Sequence, residues 1–306
     1  MTRYTIEHIT RYIYAAPVDL SHHLLRLTPP TIDRQRASAH VVTVTPEPSR
    51  IDIFLDHFGN EARHVAIQKP HDSFAVQVNA AIEITPRPAG SIDHGPVWTD
   101  VRAEMIDDGF PDQPSVAEFV YSSPLGALDD EATAYAAVSF AEDRRIIPAL
   151  RDLTARIYDE FDYVPGVTSI TTPVAEVMAK REGVCQDFAH VMIAGLRGLG
   201  LPARYVSGYL RTRRKNDSED NRGADASHAW VSVWCGKQLG WIDFDPTNNL
   251  LVDDQHIVLA HGRDFSDVTP LRGVILGGGE HGFEVRVTVT PLDDAPAGNG
   301  ATSTGA

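Results

Sequence analysis

The hydrophobic period of the chain changes near residue 90. Residues 4–14, YTIEHITRYIY, alternate: Thr5, Glu7, Ile9 and Arg11 fall on one face of an extended strand and Ile6, His8, Thr10 and Tyr12 on the other. HVVTVTP, RIDIFLD and SFAVQVNAAIEITP continue in β-branched and aromatic residues, punctuated by Pro, Asn and Gly. This pattern predicts a sandwich-like β-domain over residues 1–92, closed by the Pro- and Gly-rich linker TPRPAGSIDHGP.

Helical spacing takes over afterwards. DDEATAYAAVSFAED predicts a helix with an acidic start, and Ile146, Leu150, Leu153, Ile157 and Phe161 mark another behind Pro148, which a first turn tolerates. TTPVAEVMAKREG offers Thr172 as N-cap, Pro173 as first helical residue and Gly183 as terminator. VCQDFAHVMIAGLRGLG is apolar at Phe188, Met192, Leu196 and Leu199. Three strand-like pieces follow, ARYVSGYL, HAWVSVWC and GWIDFD, the first two separated by RTRRKNDSEDNRGADA, whose charge density marks an exposed loop. FEVRVTVTPL is a last strand before a tail of small residues. No internal repeat is visible. The expectation is an α+β protein: a β-domain at 1–92, a domain of helices followed by antiparallel strands at 93–292, and a disordered tail at 293–306.

Composition narrows the class. Of 306 residues 42% are hydrophobic and 23% charged, ordinary for a globular protein of about two domains. A net charge of −15 argues against nucleic-acid and anionic-membrane partners, which reward excess Lys and Arg. No apolar run reaches membrane-spanning length, and the first residues alternate where a signal peptide would have an apolar core. Two cysteines build no disulfide framework, so the expected compartment is the reducing cytoplasm.

One of those cysteines is conspicuously placed. Cys185 follows Gly183-Val184 at the mouth of the predicted helix, where unpaired backbone N–H groups and the helix dipole stabilise a thiolate. A thiol nucleophile needs a base, and His228 opens the strand HAWVSVWC. Alternation puts Trp230 on its face and Cys235 on the opposite one. The next strand supplies carboxylates on one face, Asp243 and Asp245, beside Trp241. A two-residue turn at Gly236-Lys237 would set Asp245 directly across from His228, with Asp243 across from Trp230. A four-residue turn would leave Asp245 diagonal but reachable and Asp243 farther away. Both registers favour a Cys185-His228-Asp245 triad.

Other readings carry less. A zinc site from Cys185, His190, His228 and Cys235 lacks paired ligand spacing, and no acidic run has the spacing of a calcium loop. His190 is about 140° around the helix from Cys185 and reads as a packing residue. Trp230, Trp241 and Tyr209 are candidates for a substrate groove, although aromatic stripes on strands usually belong to a core. His22-His23 and RTRRK read as solvated surface. No metal or cofactor is called for.

The blocks GVCQDFAHVMIAGLRGLGLPARYVSGYL, ASHAWVSVW and GWIDFDPTN resemble, in order, those of the transglutaminase-like superfamily, whose fold is papain-like. YTIEHITRYIY, LRLTPP and DHFGN are similar to the β-rich domain that precedes this module in a bacterial subgroup, and GRDFSDVTPLRG also resembles that subgroup. The resemblance implies Cys185 as nucleophile, His228 as base and Asp245 as orienting carboxylate. It implies a thiol-dependent amide hydrolase or acyltransferase working through a thioester on a peptide or protein amide, hydrolysis being favoured because an open thioester meets water by default. The alternative is a non-catalytic binding module on the same fold. A second oxyanion donor and the oligomeric state are not legible in the chain.

Overall fold

The computed structural model describes residues 1–88, 90, 92, 95–107, 116–211 and 227–292. Most of the charged loop expected at 211–226 and the whole tail expected at 293–306 lie outside the described residues, as does part of the expected linker. The chain begins with β1 (Thr2–Leu25), β2 (Gln35–Thr45), β3 (Arg50–Leu55), β4 (Glu61–Ile67) and β5 (His71–Ile84). Helices α1 (Trp98–Asp107), α2 (Asp130–Ala137) and α3 (Ile146–Glu160) follow, then β6 (Asp162–Tyr163), α4 (Val174–Lys180), β7 (Glu182–Gly183) and α5 (Cys185–Gly198). The remainder is β8 (Ala203–Leu210), β9 (His228–Trp234), β10 (Trp241–Asp245), β11 (Leu250–Leu251), β12 (His256–Gly262), α6 (Phe265–Val268), β13 (Leu271–Gly277) and β14 (His281–Pro291). The fold is α+β, as expected.

Strand β1 organises the first sheet. Its first half pairs with β5 on one edge and β14 on the other, Tyr4 facing both Ile82 and Pro291. Its second half pairs with β4 and β13, Leu25 facing both Arg63 and Leu271. The change of partners coincides with a break in register between Ile13 and Val18, where Pro17 has no N–H to give a ladder. The division at 93–292 is thereby corrected: residues 271–291 belong to the first sheet, because β1 is long enough to leave a second edge open. Continued alternation through β1 also turns His23 inward, where it is 3% exposed and stacks on Phe74 at 3.7 Å, so it is not solvated surface. His22 is half-buried and stacks on His64.

The second sheet runs β11-β10-β9-β8-β12, all antiparallel. Helix α5 lies against it and is buried along Asp187–Arg197, which is why its sequence is apolar on nearly every side. Near its C-terminal end the Arg197 guanidinium donates to the carbonyls of Phe119, Ala203, Gly126 and Arg263, so one buried side chain ties four chain segments to the helix. Helix α4 is terminated by Arg181, in the left-handed conformation (φ 57°), and not by Gly183, which lies in β7 and pairs with Tyr163 of β6. Strands β4, β12 and β13 lack a clear local signature and were not expected.

The two sheets share a core in which Tyr4, Ile6, Ile82, Ile84, Val287 and Val289 meet Tyr209, Ile257 and Leu259. Strand β12 would otherwise present a free edge. Buried Gln35 receives the Val258 N–H on Oε1 (2.8 Å) and donates Nε2 to the Val258 carbonyl (2.9 Å). Asn60 does the same with His261, at 2.9 and 2.8 Å. Two side-chain amides thus stand where a neighbouring strand would be. Gln35→Ala leaves a buried N–H and C=O unpaired and is expected to lower stability by about 2–4 kcal/mol, whereas exposed Ser38→Ala should cost less than about 0.5 kcal/mol. Urea unfolding of the two variants checks this; equal midpoints would refute the role given to Gln35.

Candidate functional site

Helix α5 starts at Cys185 because Asp187 folds back over its first turn. The Asp187 carboxylate accepts the Val184 N–H (2.8 Å) and the Thr168 hydroxyl (2.6 Å) through Oδ2. Burial raises its pKa, and the two donors act against that rise. Gly183 is required beneath it: a Cβ there would stand 2.8 Å from both Cβ and Oδ2 of Asp187. The first-turn N–H of Cys185 has no intrahelical acceptor and remains available beside the partly exposed thiol. Cys235, by contrast, is wholly buried, and burial pushes its thiol pKa up.

The β9–β10 hairpin has a four-residue turn. Trp234 pairs with Trp241, the Cys235 N–H donates to the Gly240 carbonyl (2.9 Å), and Gly236 and Gly240 both adopt positive φ. The two-residue Gly236-Lys237 turn is therefore not formed, and Asp245 reaches His228 diagonally. The contact is short: His228 Nε2 lies 2.9 Å from Asp245 Oδ2, both side chains fully buried. Asp243 sits opposite Ser232 and accepts the Trp230 indole N–H at 3.0 Å.

Asp245 is an acceptor for five donor groups. Oδ1 takes the backbone N–H groups of Thr247 (2.9 Å) and Asn248 (3.2 Å). Oδ2 takes His228, the Asn248 amide (2.8 Å) and Nε2 of His256 (3.0 Å). Burial alone would raise the pKa of this carboxyl, but the two histidines overcome it and hold the group well below the ordinary carboxylate range. Burial likewise would lower His228, yet the Asp245 carboxylate and the neighbouring Cys185 side chain lift it to about 10. With Nε2 given to Asp245, the other ring nitrogen, Nδ1, is buried with no hydrogen-bond partner among the described residues, and Cys185 is close enough to influence the ring.

The structure brings Cys185, His228 and Asp245 together and separates the remaining candidates. Trp230 and Tyr209 have no exposed surface, which removes both from a substrate groove. Trp230 packs against Gly208, where any Cβ would collide with the indole and with the Ile257 carbonyl, and Tyr209 bonds His8 at 2.7 Å across the interface between sheets. Trp241 keeps some surface but is engaged by Arg204 (4.2 Å to the ring centroid) and Phe119. His190 is buried, accepts the Phe265 N–H at 3.3 Å, and is lowered by burial to about 4. Among the described residues, His228, Asp245 and His256 are the one group whose donor atoms lie close enough for a metal, within 4.8 Å, and hydrogen bonds already join them. His256 and Asn248 were missed from sequence. DPTNN carries the turn signal that could have found Asn248. HIVLAH alternates weakly, and only the open lone pairs of Asp245 would have pointed to His256.

Residues 4–83 match the bacterial transglutaminase-like N-terminal region, and residues 131–246 match the transglutaminase-like superfamily. An uncharacterized protein of Mycobacterium tuberculosis is 39% identical over 95% of this chain and 93% of its own length. The chain belongs to the transglutaminase-like superfamily. A crystal structure from Cytophaga hutchinsonii, a "Putative Cysteine Protease", shares the fold with a TM-score of 0.74, at 22% identity over 96% of this chain and 92% of that one. A protein-glutamine gamma-glutamyltransferase of Pseudomonas aeruginosa is 29% identical over 31% of this chain and 15% of its own length. Superfamily membership supports a cysteine-type enzyme in general.

Two outcomes follow for this superfamily member. Iodoacetamide at pH 6.5 should alkylate Cys185 and leave Cys235 unmodified until the protein unfolds; equal labelling of both thiols would contradict the assignment. His228, raised from 6.5 to about 10, contributes stability that is complete below pH 6.5 and lost as the pH climbs through 10. Asp245, depressed from 3.8, contributes above that value and loses its share on acidification. The melting temperature should fall between pH 6.5 and 10, and Asp245→Asn should flatten that fall by removing the main upward influence on His228. An unchanged slope would count against the ion pair.

Proposed function

We propose that the protein is a thiol-dependent amide hydrolase acting on a peptide or isopeptide amide through a thioester on Cys185. The observation that carries this reading is the buried His228 Nε2–Asp245 Oδ2 contact at 2.9 Å, which leaves Nδ1 to the thiol at a helix start. The Cys185 sulfur attacks the amide carbonyl, and its own N–H is placed to donate to the oxyanion. Imidazolium Nδ1–H of His228 protonates the leaving amine as the C–N bond breaks. Neutral His228 then takes a proton from water, hydroxide adds to the thioester, and collapse releases the acid and the thiolate. Asp245 holds the ring orientation and stabilises imidazolium in both halves.

If an amine replaces water in the second half, the same site performs acyl transfer. The Pseudomonas relative's name gives that reading its support, over a shared third of this chain. Hydrolysis is preferred on the general ground that transfer requires a site built to exclude water. A non-catalytic binding module has no need of a buried carboxylate–imidazole pair aimed at a thiol.

The test is intact-mass analysis of the protein mixed with a peptide library, with Cys185→Ala as control, in H₂¹⁸O containing a fluorescent primary amine. An acyl adduct on Cys185 and ¹⁸O in the released acid are expected; label on the amine product would indicate transfer, and no adduct in any condition would sink the enzyme reading. Asp245→Asn should slow turnover at least about a hundredfold and Asp243→Asn far less, since only the former holds the imidazole.

A further inference from the structure

We propose that His256 is a positioning residue of the thiol site, a second histidine that holds Asp245 in register with His228. The inference rests on the reading of Cys185, His228 and Asp245 given above. It starts from strand β12, which lies at the far edge of the sheet from β10, so nothing in the local hairpin requires it to touch the site. Yet His256 places Nε2 3.0 Å from the same Oδ2 that His228 contacts, and both of its neighbours there are fully buried.

The protons can be assigned from the donor set. Ionised Asp245 only accepts, so Nε2 of His256 must carry a hydrogen. Its Nδ1 is buried without a partner among the described residues, and a proton there would leave an unpaired buried N–H. Nε2–H of His256 is therefore a fixed donor to the carboxylate. Its ring is held edge-on by Trp230, at 5.1 Å and 76°, and Trp230 is itself anchored through its indole N–H to Asp243. The strand beneath is held on both edges, by β8 and by Gln35 of the first sheet. Removing the His256 donor leaves the carboxylate freer to turn about its Cβ–Cγ bond. Oδ2 then loses the line along which His228 Nε2–H donates, and Nδ1 loses its aim at Cys185.

The experiment measures the rate of Cys185 alkylation by iodoacetamide at pH 6.5 in wild type, His256→Ala and His256→Gln, together with ¹⁵N-histidine NMR of wild type. His256→Ala should label at least about tenfold more slowly, the scale of one lost hydrogen bond to a charged group. His256→Gln, whose amide N–H can reach Oδ2, should recover most of the rate, and the wild-type spectrum should show His256 protonated on Nε2. Labelling of folded His256→Ala within twofold of wild type, a glutamine variant as slow as the alanine one, or a wild-type Nδ1–H tautomer would each overturn the proposal. If His256→Ala does not fold, the glutamine rate and the tautomer decide. A wild-type Cys185 no more reactive than a free thiol would instead refute the triad, while the tautomer still judges His256.

Discussion

A carboxylate with no exposed surface constrains the second sheet more than any other single group. Asp245 must be ionised to hold an imidazolium, and an ion removed from water is tolerated only when its lone pairs are satisfied. Its donors come from the first residue of β9, from the turn after β10 and from the start of β12. Three separate stretches of chain must therefore be in place before the charge is compensated. Gly208 contributes on β8, because only a residue without Cβ lets the Trp230 indole pack against that strand.

How much of this was visible in the chain depended on the range of the interaction. Cys185, His228 and Asp245 were legible because each sits at a locally marked position: after a glycine at a helix mouth, at the first residue of an alternating strand, before Pro-Thr. Which carboxylate served His228 was legible even though the turn length was not, since both registers left Asp245 within reach. Alternation also revealed which face Trp230 occupied but not that the face was covered, and so buried aromatics passed for a groove. His256 and the fate of residues 271–291 were hidden for one reason. Pairing between strands distant in sequence, β12 with β8 and β13 and β14 with β1, leaves no trace in a local period.

The first sheet is more than an appended module. Its Gln35 and Asn60 amides complete the edge of β12, and His8 bonds Tyr209 on the neighbouring strand. The strand that carries His256 is thus fixed partly by side chains encoded more than 200 residues earlier, which couples the integrity of the first sheet to the geometry of the thiol site. Helix α5 is fixed from the other side, by Arg197 and its carbonyl partners.

Strand β1 has a consequence for how the molecule is made. It precedes all four of its partners in the chain: β4 and β5 are complete by residue 84, but β13 and β14 only when residues 271–291 have been synthesised. At roughly 5–20 residues per second, that interval lasts on the order of ten seconds or more, during which an apolar, hydrogen-bond-hungry edge is open to any passing strand. Part of β1 therefore stays unpaired throughout the synthesis of the second sheet, and a chain cut short after α6 would keep Cys185, His228 and Asp245 beside a permanently unfinished first sheet.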